Sequence, residues 1–289
     1  MPNAAPGVTL RPLASAADYA ACIELQKETW GQGFAEVVPG VLLKISQKVG
    51  GVAAGAFAAE DRDAGHAGDA GRLLGFVFGL TGVRHGHLTH WSHMLAVRPE
   101  ARDLGLGRRL KLYQRDLLAA LGVGEMLWTY DPLEARNAHL NVNRLGVEFE
   151  EYVEDMYADE SESDLARGIG TDRFIVRWEL AGARAARTLA GEPPDFAPFR
   201  AAPVCNPSTG PELPEPSMPS GSPPDAPRVR IAIPSRIQEL KREHPAEAAA
   251  WRAGTRRAFE SCLARGYRIA AFAGGPAERL AYYGLERPH

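Results

Sequence analysis

Apolar positions along the chain switch repeatedly between a spacing of two and a spacing of three to four, as expected of strands interleaved with helices. Residues 8–13 (VTLRPL) read as a strand, and Ser15 with Asp18 three residues on offers a capped start for a helix through Trp30. A second helix is predicted over 35–49, where Val37, Val41, Ile45 and Val49 recur every four residues. GVAAGAFAAE and RLLGFVFGLTG are strand-like runs joined by a Gly/Asp-rich turn at 61–71, so they predict a hairpin. A further strand covers 89–97 and ends at Arg98-Pro99. The next helix starts near Gly105, places Leu106, Leu110, Tyr113, Leu117, Ala120 and Leu121 on one face, and stops at Gly122. EMLWTY (125–130) is a strand, 134–145 a helix closed by Gly146, and EFEEYVEDMY and TDRFIVRWEL are two last strands. The order β-α-α-β-β-β-α-β-α-β-β predicts an α/β sandwich with a mixed sheet.

Proline then interrupts the pattern. Twelve of the 22 prolines fall between Pro193 and Pro227, and a residue without a backbone donor sustains neither a helix nor a central strand there. The expected division is therefore a body over 1–182, a proline-rich linker over 183–227 and a β-α-β-β extension over 228–289. In the extension VRIAI, YRIAAFAG and RLAYYGLE read as strands, and Pro245 restarts a helix that carries Trp251, Ala258, Phe259 and Cys262. Some 60 residues make only a marginal core, so this piece is expected to pack on the body or on a second subunit, which leaves a homodimer open.

Composition narrows the class. The 289 residues carry 33 Lys+Arg against 36 Asp+Glu, a net charge of −3, which argues against a nucleic-acid binder. Three distant cysteines (Cys22, Cys205, Cys262) form neither a disulfide framework nor a metal spacing. No signal peptide and no run of about 18–20 apolar residues is visible, so the expectation is a cytoplasmic protein away from membranes.

The most informative segment is MLAVRPEARDLGLGRRLKLYQ (94–114), an apolar strand that runs through Arg102-Asp103-Leu104-Gly105-Leu106-Gly107 straight into an amphipathic helix. Glycines let a backbone approach a ligand closely, and a helix start offers unpaired N–H groups at a positive dipole end, together a phosphate or pyrophosphate cradle. It is not a dinucleotide fingerprint, because Leu110 stands where the third glycine belongs, and no Gly-Lys-Ser/Thr makes it a Walker loop. The frame resembles the acyl-CoA-binding motif R/Q-x-x-G-x-G/A of the GNAT acetyltransferases, and the predicted element order is similar to that family's fold. A second, weaker match is Arg136-Asn137-Ala138-His139-Leu140-Asn141-Val142-Asn143-Arg144-Leu145-Gly146, which looks like the family's N-x-x-A helix with its alanine displaced. The resemblance covers about residues 8–180. It implies a GNAT-type mixed sheet flanked by helices and an acyl-CoA co-substrate, acetyl-CoA or another, without a metal. It also implies that amides from Leu95 through Ala96 to Val97 hold the pantetheine arm and those from Leu104 to Arg109 the pyrophosphate. That second group spans Gly105, Leu106, Gly107 and Arg108; Arg102 either pairs with a phosphate or caps the turn, and Arg108 and Arg109 add positive charge. Asn137 would meet the pantetheine or a water.

Acyl transfer to an amine needs a base for the ammonium proton, a donor for the oxyanion and an acid for the departing thiolate. Four of the eight histidines fall in HGHLTHWSH (85–93). If 89–97 is a regular strand, Trp91, His93, Leu95 and Val97 share a face and His90 and Ser92 turn away, while a bulge would change that. His93 stands two residues before Leu-Ala-Val, where the arylalkylamine members of the family have a histidine linked to base catalysis, so the resemblance makes it the candidate base. The same alternation splits the histidines between faces and leaves them poorly set for a metal. Where many members have an acid tyrosine this chain has Val142; Tyr130, Tyr152 and Tyr157 are candidates without positional support. Nine acidic residues between Glu148 and Asp164 read as a solvated edge or as a rim that attracts a cationic amine. The resemblance thus implies an N-acyltransferase acting on a small-molecule amine such as an amino acid, with acetyl or succinyl as the group transferred. A non-catalytic acyl-CoA-binding sensor is the rival.

Overall fold

The computed structural model describes residues 7–58, 71–157, 168–206, 208–209, 215–216, 224–275 and 277–287. The Gly/Asp-rich turn up to residue 70, thirteen residues of the proline-rich stretch and the end of the acidic run lie outside them. The chain forms two compact units, one running through Trp128 and one from Thr129 onward.

In the first unit the predicted order appears as β1 (Val8–Pro12), α1 (Ala16–Trp30), α2 (Gly40–Lys48), β2 (Val52–Ala58), β3 (Leu73–Arg84), β4 (His87–Val97), a 3₁₀ turn (Pro99–Leu104), α3 (Leu106–Ala120) and β5 (Glu125–Tyr130). The strands hydrogen-bond in the order β1-β2-β3-β4-β5, antiparallel except for the β4–β5 pair. Helix α1 starts where its sequence says, in a capping box: the Ser15 hydroxyl accepts the Asp18 N–H at 3.1 Å, and the Asp18 carboxylate accepts the Ser15 N–H at 3.2 Å. Asp18 is also gripped by Arg11, at 2.6 and 2.9 Å, which with the two backbone amides holds its carboxyl far below the usual range. One face of the sheet packs on α1 and α2 through Leu13, Cys22, Leu25, Leu43, Phe76 and Phe78.

Helix α2 differs from its sequence reading. It is shorter than 35–49, and the row spaced by four faces outward: Val41 is 64%, Ile45 51% and Val49 65% exposed, while Leu43 and Ser46 are buried. Helix α3 is likewise rotated from its apolar row. Lys111 and Gln114 are buried with Leu106, Leu110 and Leu118, whereas Ala120 and Leu121 are exposed. Polar residues tolerate that face because they bond to one another, as described below.

The second unit holds the end of β5, a short α4 (Ala135–Ala138) continued by a π-helical turn (His139–Leu145), β6 (Glu148–Val153), β7 (Arg173–Glu179) and α5 (Ala183–Leu189). It continues with two paired two-residue strands, β8 (Ser208–Thr209) and β9 (Glu215–Pro216), then β10 (Arg228–Pro234), α6 (Ile237–Glu243), α7 (Pro245–Ala264), β11 (Arg268–Ala273) and β12 (Leu280–Glu286). Strand order is β5-β7-β6, beside a separate antiparallel sheet β10-β12-β11. The carboxy-terminal strands and α7 share one aromatic core with β6 and β7. Phe174 lies 4.9 Å from Phe259, 5.0 Å from Phe149 and 5.8 Å from Tyr283. The sixty-residue extension therefore completes the core of β6 and β7. Beneath these rings Arg252 bonds Asp131 at 2.6 Å, and Arg256 bonds Asp155 and Asp172 at 2.9 and 2.5 Å.

Candidate functional site

The register of β3 and β4 departs from regularity at one place. Phe78 faces Met94 but Leu80 faces Trp91, so Ser92 and His93 together oppose the single residue Gly79. This is a β-bulge, and it reverses the parity of the strand. His90 and Ser92 reach α3, where both meet Gln114. Past the bulge Met94 and Ala96 join the α1–α2 core, and Val97 lies on the α3 face beside Leu110, as the surroundings of Gly75 show. The regular alternation that grouped His93 with Leu95 and Val97 does not hold: Leu95 faces α3, opposite Val77, whereas the His93 ring meets Phe78 on the other face, with centroids 6.1 Å apart. Pairing of β4 with β5 runs from Thr89–Glu125 to Trp91–Leu127. The strand from the bulge to Val97 lies beyond that ladder.

Gly79, opposite the bulge, is required there: a Cβ would collide with the His90 ring and lie 2.5 Å from the Trp91 carbonyl oxygen. His90 itself is fully buried. Its Nδ1 is 2.9 Å from Thr81 Oγ1 and its Nε2 2.9 Å from Gln114 Nε2. Gln114 Oε1 accepts the Ser92 hydroxyl at 2.8 Å, and Ser92 Oγ accepts from Lys111 Nζ, also at 2.8 Å. Lys111 lies 3.7 Å from the centre of the Trp128 ring. At the other end Thr81 donates to the Gly50 carbonyl at 2.6 Å. Burial, with Lys111 nearby, pushes the His90 imidazole down to about 3, and burial carries the Lys111 ammonium well below its ordinary value. Sequence reasoning missed this chain because Lys111 and Gln114 look like a solvated helix face; their only signal is their spacing of three.

His93 stands at the outer side of the bulge, its edge open to solvent, and the burial of its ring lowers the imidazole below its usual value, keeping it neutral at pH 7. After Val97, Pro99–Leu104 winds a 3₁₀ turn that ends on Gly105, whose φ of 64° and ψ of 21° are left-handed. Gly105 is at once the last residue of that turn and the cap of α3, and an added Cβ would meet nothing within 4 Å. The backbone conformation is thus what calls for glycine, and the space over the turn is open. The first intrahelical bond is Arg109 N–H to Gly105 C=O at 3.2 Å. By helix geometry the amides of Leu106, Gly107 and Arg108 precede it. The amide of Arg109 is committed, and its guanidinium runs back to the Val8 carbonyl at 3.1 Å. Arg102 and Leu104 are exposed, Arg108 is half-buried, and Ala96 is buried. A strand edge, an open left-handed turn and a fifteen-residue helix N-terminus fit an elongated anion that ends in phosphates.

In the second unit Asn137 is exposed on α4. Val142 is buried in the π-helical turn, a feature frequent at functional positions. Asn143 donates to the Phe272 carbonyl at 3.1 Å, and Gly146, with φ of 71°, closes the helix against Thr188. Of the tyrosines, Tyr130 Oη is 3.2 Å from Tyr283 Oη and Tyr152 donates to Asp172; both phenols are pushed far up by burial. Tyr157 is partly exposed, 3.3 Å from Thr129 Oγ1. Asp131 caps Leu133 N–H at 2.8 Å and holds Arg252, a structural role. Among the described residues no cluster of three or more His, Cys, Asp or Glu is set to hold a metal, and no helix is long and apolar enough to cross a membrane.

No protein-family pattern and no curated protein matches the sequence. Among solved structures, a chain of the NatC complex bound to Gag peptide and CoA is similar over 60% of this chain and 98% of its own, at 14% identity and a TM-score of 0.46. The GNAT-superfamily phosphinothricin acetyltransferase of Sinorhizobium meliloti, in complex with acetyl-CoA, is similar over 60% and 88%, at 18% identity and 0.44. The ribosomal-protein-S18-alanine N-acetyltransferase of Escherichia coli is similar over 61% and 96%, at 17% identity and 0.41. Likeness of this degree carries no activity with it.

Proposed function

We propose that this chain is an N-acyltransferase of the GNAT type, taking an acyl group from acyl-CoA to the amine of a small molecule such as an amino acid. One observation carries the reading: a strand bulged at Ser92–His93 runs into a left-handed glycine turn that opens directly on the N-terminus of α3. The edge of Leu95–Val97 would hold the pantetheine arm. The amides of Leu106, Gly107 and Arg108 would hold the pyrophosphate, with Arg102 and Arg108 adding charge. Bound there, acyl-CoA supplies an activated thioester. His93, neutral at pH 7, accepts the proton of the attacking amine and leaves it nucleophilic. Residues 1–182 carry this chemistry, and 228–289 complete the core of β6 and β7.

The buried Val142, standing where the family's acid tyrosine is expected, favours a second reading in which the fold binds acyl-CoA as a sensor without turnover. Thiol release from acetyl-CoA and succinyl-CoA over a panel of amino acids separates the two. CoA binding without turnover on any amine overturns the enzyme reading; unaltered CoA affinity in Gly105→Val overturns both.

A further inference from the structure

Cys205 and Cys262 form no disulfide framework in the sequence, yet within the second unit their sulfurs meet. The Cys262 thiol donates to Cys205 Sγ at 3.4 Å, and both residues are buried. Each sulfur is placed by its backbone. Residues 203–206 run beside β10 through a parallel bridge: Cys205 N–H donates to the Arg230 carbonyl and Arg230 N–H to that of Pro203, both at 2.8 Å. The buried Asn206 clamps the next point of β10 from both sides, accepting Ala232 N–H at 2.8 Å and donating to its carbonyl at 2.9 Å. Cys262 stands in the last turn of α7, where its carbonyl accepts from the amides of Arg265 at 3.1 Å and Tyr267 at 3.2 Å. A disulfide bond is about 2.05 Å long, so joining the sulfurs needs an approach of about 1.4 Å. That is within reach of side-chain rotation while both backbones keep their hydrogen bonds.

The two thiols are unequal. The hydrogen bond from Cys262 lowers the Cys205 thiol, whereas that same bond and burial raise Cys262. Cys205 is also the more open of the two, 5% exposed against 0%. Cys205 is therefore the sulfur that reacts first and Cys262 the one that resolves it. The third cysteine serves as an internal control. Cys22, in the first unit, is fully buried with its sulfur accepting from Gln26 Nε2 at 3.8 Å, and burial pushes its thiol up to about 12.

We infer that Cys205 and Cys262 are a site of oxidation, at which hydrogen peroxide joins the two sulfurs and staples the proline-rich stretch to α7. The Cys205 thiolate attacks one peroxide oxygen, the O–O bond breaks, and the departing hydroxide takes a proton to become water. Cys205 is left as a sulfenic acid. The Cys262 sulfur then attacks that of Cys205, the S–O bond breaks, and the hydroxide leaves as a second water with the Cys262 proton. The two thiols give up two electrons and the peroxide takes both. A small oxidant suits a buried pair. The bond links positions 57 apart and so restricts the unfolded chain, while the native backbone on either side is already in place.

The test treats the full chain with about 1 mM hydrogen peroxide, removes the excess with catalase, and alkylates with N-ethylmaleimide in denaturant. Of the three thiols only Cys22 is expected to be alkylated, and the intact mass before alkylation should fall by two hydrogens. A digest without reductant should hold one peptide pair joined through Cys205 and Cys262, which dithiothreitol separates. The oxidised chain should unfold several degrees above the reduced one, and dithiothreitol should reverse the rise. In Cys205→Ser, peroxide should leave Cys22 and Cys262 both open to alkylation. Three alkylated thiols in the treated parent overturn the inference, as does loss of Cys22 alongside the pair. A link between two chains, or a sulfinic acid at Cys205 beside a free Cys262, overturns it as well. An oxidised chain that unfolds no higher than the reduced one shows that the native backbones do not accommodate the bond, and the staple falls.

Discussion

His90 provides the sharpest test of the buried polar chain. Its imidazole is held at about 3 against an ordinary value of 6.5. The folded protein therefore refuses a proton that the unfolded chain accepts anywhere between those values. The stability this represents is fully present above the ordinary value and is lost as pH falls below it. Integrating the linkage between pH 7 and pH 5 gives a loss of about 2 kcal/mol from this one group, reaching about 4 kcal/mol at pH 3. The perturbation is His90→Gln, which retains an amide near Gln114 but cannot titrate. It breaks the bond to Thr81, so the variant is expected to start about 1–2 kcal/mol less stable at pH 7. Between pH 7 and pH 5 it should then lose about 2 kcal/mol less than the parent. Urea unfolding of both proteins at the two pH values, followed by tryptophan fluorescence, measures the difference, and all other titrating groups cancel. Parallel losses within about 0.5 kcal/mol would show that His90 is not held neutral by burial, and the chain from Lys111 to Gly50 would lose its electrostatic basis.

Lys111→Met replaces the buried amine with a neutral side chain of similar length; Ser92 keeps its bond to Gln114. Because the Lys111 value is depressed, the parent should gain stability as pH rises toward 10.5, and the variant should not; an equal alkaline rise in both refutes it. Gly105→Ala should cost about 1–2 kcal/mol of stability from the left-handed backbone alone, measured by thermal unfolding, and weaken CoA binding in calorimetry. His93→Gln should lower kcat/KM by about 10²–10⁴ and flatten the acidic limb of its pH profile, whereas an unchanged profile removes His93 as the base.

Much of the architecture was legible in the chain. The order of elements through β7, the capping box at Ser15 and the restart of a helix at Pro245 all stand in the structure. These rest on local signals: a cap, a proline, a period. Facing was less legible. The apolar row of α2 points outward, and Lys111 and Gln114 replace apolar residues on the buried side of α3, because partners distant in sequence decide what a polar group costs. The glycine turn of the candidate site was readable because its left-handed backbone restricts the residue type. The bulge was not, since strand parity assumes a regular strand, and that assumption placed His93 with Leu95 and Val97.

Gly79 bears on that last failure. The carbonyl of Trp91 comes within 2.5 Å of where its Cβ would be, so shortening His90 alone would not make room for alanine. The glycine on β3 and the extra residue on β4 are therefore historically bound: neither can be given up before the other without a clash or a void. In any divergent copy of this chain, a larger residue at position 79 announces a straightened β4, with its side chains past residue 92 returned to the opposite faces. A glycine in one strand thus serves as a written record of the kink in its neighbour.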